Sequence, residues 1–199
     1  MKKICIFFLI ILLFSGCVTN PLTGQTNMAF VSNTELLSMS YTQYDQFLRE
    51  NKVVTGTAEA QMVQNVGYKI AGAAQKLLAS KGKPYYLKDY RWQFTLVEDK
   101  SINAWAMPGG KVVFYTGILP VAQNEAGIAV IMGHEIAHAL LNHAQQRMSG
   151  NVLQQIGALG VSILTSSRSP ESQALIMAAF GITTNLAGAL PFSRKHESE

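Results

Sequence analysis

Five consecutive residues, His134-Glu135-Ile136-Ala137-His138, constrain this chain more than any other stretch. Two imidazoles four residues apart face one side only on a helix, where about 100° per residue sets them about 40° from one another. Glu135 then stands about 60° from His138, beside the same cleft. One metal ion can touch both rings while the carboxylate acts as base toward a water, the arrangement of a zinc hydrolase. A core helix whose histidines merely satisfy buried hydrogen bonds is the plainer alternative, and ordinary cores rarely carry this spacing.

The flanking residues predict the helix. Asn124 is suited to cap its N-terminus and Glu125 to its first turn. Ala126, Ile128, Ala129, Val130, Ile131 and Met132 are apolar nearly all round, which predicts a buried helix. It is expected to continue through Leu141, turn polar from Asn142 to Arg147 and stop at Ser149-Gly150. On such a helix His143 lies about 180° from His134 and points away from the ion, as a surface residue or one that backs a ligand. The metzincin pattern is excluded, because its glycine position holds Leu141. Catalytic zinc takes three protein ligands, so one more must come from elsewhere. Pro191 to Glu199 reads as a helix start with Ser193 as N-cap, which leaves His196, Glu197 and Glu199 as rival ligands beside the alternative of a solvated charged tail.

The amino end reads as a signal peptide over residues 1–16: Lys2 and Lys3, an apolar run from Ile4 to Phe14, then Ser15-Gly16-Cys17. Eleven apolar residues from Ile4 to Phe14 are too few for a permanent span. A cysteine straight after the cleavage point suggests a bacterial lipobox with Cys17 as the lipidated residue, although Phe14 stands where leucine is usual. A plain secreted protein with an incidental cysteine is the alternative. Cys5 leaves with the signal, so no thiol pair remains for a disulfide. Residues 17–31 are expected to form the lipidated cysteine and a polar tether, and Val18 suggests delivery to the outer membrane, facing the periplasm, by analogy with lipoprotein sorting. The formal charge is +4 and Lys2 and Lys3 supply two of it, so about +2 remains (+4 − 2). No basic run with interleaved aromatics accompanies it, which excludes a nucleic-acid partner.

Residues 32–199 read as one α+β domain, mostly helical, with a small three-stranded sheet beside the His-Glu-x-x-His helix. Helices are predicted from Ser32 or Asn33 and over Ala58 to Ser80, and their aromatic and methionine stripes read as core. Strands are predicted over Trp92–Glu98, Ile102–Met107 and Lys111–Thr116, with Pro108-Gly109-Gly110 joining the last two as a hairpin. An exposed strand beside a metal helix can hold an extended peptide by main-chain hydrogen bonds, and Asn103, Ala104 and Trp105 are the candidate substrate edge; an ordinary hairpin is the alternative. Two apolar stretches over 150–190 read as a helical hairpin insertion, packed over the site, lying on the membrane surface or simply buried.

Three motifs then stand in one order: Asn103-Ala104-x-x-x-Pro108-Gly109-Gly110, His134-Glu135-x-x-His138 and Ser193-Arg194-x-x-Glu197-x-Glu199. With the lipoprotein signal ahead of them, the chain resembles the HtpX and CAAX-prenyl-endopeptidase family of gluzincin metalloproteases, most of all its periplasmic outer-membrane-lipoprotein branch. The resemblance implies a zincin-like fold with one zinc ion per chain on His134, His138 and Glu197, and with Glu135 as general base. Glu197 maps onto the first glutamate of the family's Glu-x-x-Ala-Asp motif, which the chain leaves incomplete at Glu199, so a longer catalytic domain is expected.

The implied function is a zinc-dependent endopeptidase of the bacterial cell envelope, acting on misfolded or misassembled proteins. The main alternative is an outer-membrane assembly factor or chaperone with a latent metal site and with the assembly machinery as partner. A hydrolase of non-peptide substrates finds no phosphate-cradling loop and no sugar-site carboxylate pair.

Overall fold

The structure is a computed structural model that describes residues 17–20, 22–29 and 32–150. The signal peptide, the hairpin beyond Gly150 and the segment carrying Glu197 fall outside the described residues. The chain divides into two compact units, the larger formed by Asn20–Gly24 and Ser32–Ala144. In the smaller unit, β1 (Cys17–Thr19) pairs antiparallel with β2 (Thr26–Met28), Cys17 opposite Met28. The stretch expected as a tether therefore holds a two-stranded ribbon, whose three-residue strands are too short to show an alternating pattern.

In the larger unit, α1 spans Asn33–Glu50 and β3 Val53–Val54. Next come α2 (Ala58–Ser80), β4 (Gln93–Val97), β5 (Ala104–Met107) and β6 (Lys111–Tyr115). A 3-10 turn over Thr116–Ile118 and the short α3 (Leu119–Ala122) lead into α4 (Glu125–Leu140). Side-chain caps open the two longest helices: the Ser32 hydroxyl accepts from the Glu35 amide and the Thr57 hydroxyl from the Ala60 amide, both at 3.2 Å.

The sheet runs β3-β4-β6-β5, with β4 and β6 parallel and the outer strands antiparallel to their neighbours. β3, two residues long, adds a strand to the three predicted. The central pair is covered on both sides, which is why Phe94, Leu96, Val97, Val112, Val113 and Phe114 are all buried. Phe94, Leu96, Val112 and Phe114 join the core formed by α2 and α4, and Ala104 and Ala106 of β5 pack against it. The alternate residues Val97 and Val113 face the other way, onto Tyr44 of α1, together with Trp105, Met107 and Tyr115.

Three close approaches fix this frame. The β5–β6 turn places Gly109 at φ +83° and Gly110 at φ +85°, a region costly for residues with a Cβ. A Cβ on Gly109 would also meet the Tyr41 ring at 2.6 Å, and one on Gly110 the Trp92 ring at 2.7 Å. Between helix and sheet, a Cβ on Gly67 would fall 2.2 Å from Cγ of Phe94, so glycine lets α2 lie tight on the sheet.

The expected all-round burial of α4 is corrected. Its buried residues are Ile128, Met132, Ile136, Ala139 and Leu140, an i, i+4 stripe with Ala139 beside it, while Val130 is 74% exposed. The apolar residues around α4 exceed what its neighbours cover, so composition overstated its burial. Among the described residues, no helix is long and apolar enough to cross a membrane.

Candidate metal centre

α4 starts where the sequence predicted, with the Asn124 side chain accepting from the Gly127 amide at 3.1 Å. Its buried stripe fixes the helix's rotation, and that rotation sends His134 to the surface and leaves Glu135 and His138 half-buried. The two imidazoles meet as the spacing requires: Nε2 of His134 lies 2.9 Å from Nε2 of His138, with the rings edge to face at 82°.

The course of the chain after His138 differs from the expected continuous helix. α4 ends at Leu140, and Asn142 takes φ +59°, a left-handed conformation that asparagine tolerates better than most residues. Residues 143–150 then form a new helical stretch that still includes Ser149 and Gly150. The side chains of three residues distant in sequence hold the break. The Asn20 amide and the Tyr86 hydroxyl both donate to the Leu140 carbonyl, at 3.0 and 3.1 Å. The Tyr90 hydroxyl donates to the Ala139 carbonyl at 3.3 Å, and the Asn142 amide donates to the Tyr86 oxygen at 3.0 Å. Together they satisfy C-terminal carbonyls that a helix cannot pair internally. Burial raises the pKa of both tyrosines, which keeps them as donors.

The break changes the position of His143. An angle extrapolated along one helix does not apply across Asn142, and the imidazole is fully buried, not on the surface. Its Nδ1 lies 2.7 Å from Nδ1 of His138, on the edge of that ring opposite the atom facing His134. His143 therefore backs a candidate ligand, the second of the two roles the sequence allowed. Sequence reasoning missed Tyr86, Tyr90 and Asn20 altogether. Asn142 did carry a signal, since asparagine is a common residue just past a helix end.

The candidate substrate residues separate. β5 is an edge strand, it packs beside α4, and no strand pairs with its outer side among the described residues. The Asn103 carbonyl accepts from the Tyr115 amide at 3.1 Å, so the antiparallel alternation turns the main chain of 103, 105 and 107 toward β6 and that of Ala104 and Ala106 outward. Trp105 belongs to the sheet's other face: its ring stands edge-on to Phe47 at 5.0 Å and its indole N–H donates to the Tyr115 hydroxyl at 3.3 Å. Ala104 has both the outward amide and the place beside α4.

Among the described residues no three histidine, cysteine, aspartate or glutamate side chains cluster closely enough to hold an ion. The third donor expected at Glu197 lies outside them. Two imidazole nitrogens 2.9 Å apart are nonetheless a donor pair suited to zinc.

The chain is 27% identical over 130 residues to the mitochondrial metalloendopeptidase OMA1 of Schizosaccharomyces pombe, covering 65% of this chain and 35% of that protein. It is 23% identical over 197 residues to the human mitochondrial metalloendopeptidase OMA1, covering 96% and 36%. To the beta-barrel assembly-enhancing protease of Escherichia coli it is 34% identical over 116 residues, covering 54% and 23%. The chain thus spans about a third of the length of the first two relatives and less of the third. The profile of peptidase family M48 matches residues 57–199, from the start of α2 through the His-Glu-x-x-His helix to the last residue, and the chain belongs to that family.

Proposed function

We propose that this chain supplies the catalytic centre of a zinc-dependent endopeptidase of the bacterial cell envelope. The observation that carries the reading is the convergence of the His134 and His138 Nε2 atoms, 2.9 Å apart, on a helix that also bears Glu135. The donor chemistry fits zinc. His134 and His138 would hold the ion, with Glu197 as the third ligand and one ion per chain. When bound, the ion supplies Lewis-acid polarisation of a peptide carbonyl and lowers the pKa of water.

The remaining steps belong to the chain. Glu135 takes a proton from the attacking water and delivers it to the leaving amine, so it passes from base to acid within one turnover. The outward amide and carbonyl groups of Ala104 and Ala106 hold an extended peptide along β5, which leaves substrate side chains free and makes the edge tolerant of sequence. Glu135→Gln tests this reading: the variant retains zinc by metal analysis and loses chelator-sensitive cleavage of casein. Undiminished cleavage would refute the base assignment.

The same reading places the protein at the outer membrane, facing the periplasm, through a lipid on Cys17. Its support is Lys2-Lys3, the apolar run to Phe14 and Ser15-Gly16-Cys17, together with motif order resembling the lipoprotein branch. Substrates are then misfolded or misassembled envelope proteins. The name of the Escherichia coli relative, a beta-barrel assembly-enhancing protease, favours a second reading in which the chain also works with the outer-membrane assembly machinery, even as a chaperone. Client protection from aggregation by Glu135→Gln, measured beside cleavage, separates the two.

A further inference from the structure

We infer that His143 is a positioning residue that selects the tautomer and ring orientation of His138. The inference rests on the metal-centre reading above and concerns a residue outside the expected ligand set. A neutral imidazole that offers Nε2 to an ion carries its proton on Nδ1, and that proton needs an acceptor. Nδ1 of His143 stands 2.7 Å from Nδ1 of His138, while Nε2 of His138 faces His134. His143 therefore accepts through Nδ1 and holds its own proton on Nε2.

The fold goes to some length to make this contact. Five residues along an unbroken helix would put His143 about 140° around from His138, out of reach of its Nδ1 edge. The left-handed Asn142 returns the chain, and Asn20, Tyr86 and Tyr90 hold the return. The side chain so placed is fully buried. An apolar residue would fill that space without needing polar partners, so packing alone does not explain an imidazole there.

The test compares His143→Asn with His143→Leu in the full chain. Asparagine keeps an acceptor oxygen near the Nδ1 position but fills less space; leucine keeps bulk and removes the acceptor. Zinc affinity is read by competition with a chelating dye, and folding by circular dichroism. The leucine variant is expected to bind zinc about 10–100-fold more weakly than wild type while the asparagine variant retains most of the affinity. If packing alone matters, the order reverses. A folded leucine variant that binds as tightly as wild type overturns the inference and leaves the metal centre standing. A wild-type chain that takes up no zinc overturns the metal reading and the inference with it. Should either variant fail to fold, nitrogen-15 spectra of the zinc-loaded wild type decide: a protonated His138 Nδ1 with scalar coupling to His143 Nδ1 supports the assignment, and an unprotonated His138 Nδ1 refutes it.

Discussion

Removing one hydroxyl tests how the end of α4 is held. In Tyr86→Phe two hydrogen bonds disappear, the donation to the Leu140 carbonyl at 3.1 Å and the acceptance from the Asn142 amide at 3.0 Å. Each is worth about 0.5–1.5 kcal/mol net. The Leu140 carbonyl keeps its bond from Asn20 at 3.0 Å, and half-buried Asn142 can recover water, so no group is left orphaned. The expected loss is therefore about 1–2 kcal/mol, not the larger penalty of an unpaired buried carbonyl. With a urea dependence of about 2 kcal/mol per molar, the unfolding midpoint should fall by about 0.5–1 M. Asn20→Ala together with Tyr86→Phe strips the carbonyl of both donors, so the double variant should lose more than the sum of the singles, by about 1 kcal/mol. Additive losses, or a Tyr86→Phe midpoint equal to wild type, would refute the shared-carbonyl account.

Two further outcomes follow from the packing. Gly67→Ala places a methyl where Phe94 already lies, 2.2 Å from its Cγ, and should cost about 1–3 kcal/mol by overpacking in thermal melts; an unchanged melting temperature would contradict the close approach. Burial pushes the Tyr44 phenol up to about 12 from an ordinary 10.0, so its contribution to stability is full below pH 10 and lost as pH rises toward 12, because the unfolded chain ionises first. Tyr44→Phe should flatten that part of the alkaline stability curve, and a slope identical to wild type would contradict the assignment.

Much of this frame was legible because local signals agreed with one another. Helical periodicity and a glycine beyond Lys81 mark α2, whose bounds of Ala58 and Ser80 match the prediction, and the Pro108-Gly109-Gly110 turn fixed the β5–β6 hairpin. The imidazole pair was readable from spacing alone, since helix geometry imposes it. The break was signalled by Asn142 alone, because residues 143–147 are helix-compatible types and the donors to the carbonyls that stabilise the break come from Asn20, Tyr86 and Tyr90, remote in sequence. Trp105 illustrates the same limit. Which face a four-residue strand presents depends on its register with β6, and that register turns the indole to Phe47 on the side of α1.

The central claim is that His134 and His138 together receive one ion. Diffraction from crystals of the zinc-loaded chain, recorded at the zinc absorption edge, tests it most directly. The account predicts one anomalous peak within bonding distance of Nε2 on both rings and none at Nδ1 of His143. An anomalous map with no peak between the two Nε2 atoms, or with zinc bound at His143, would contradict it.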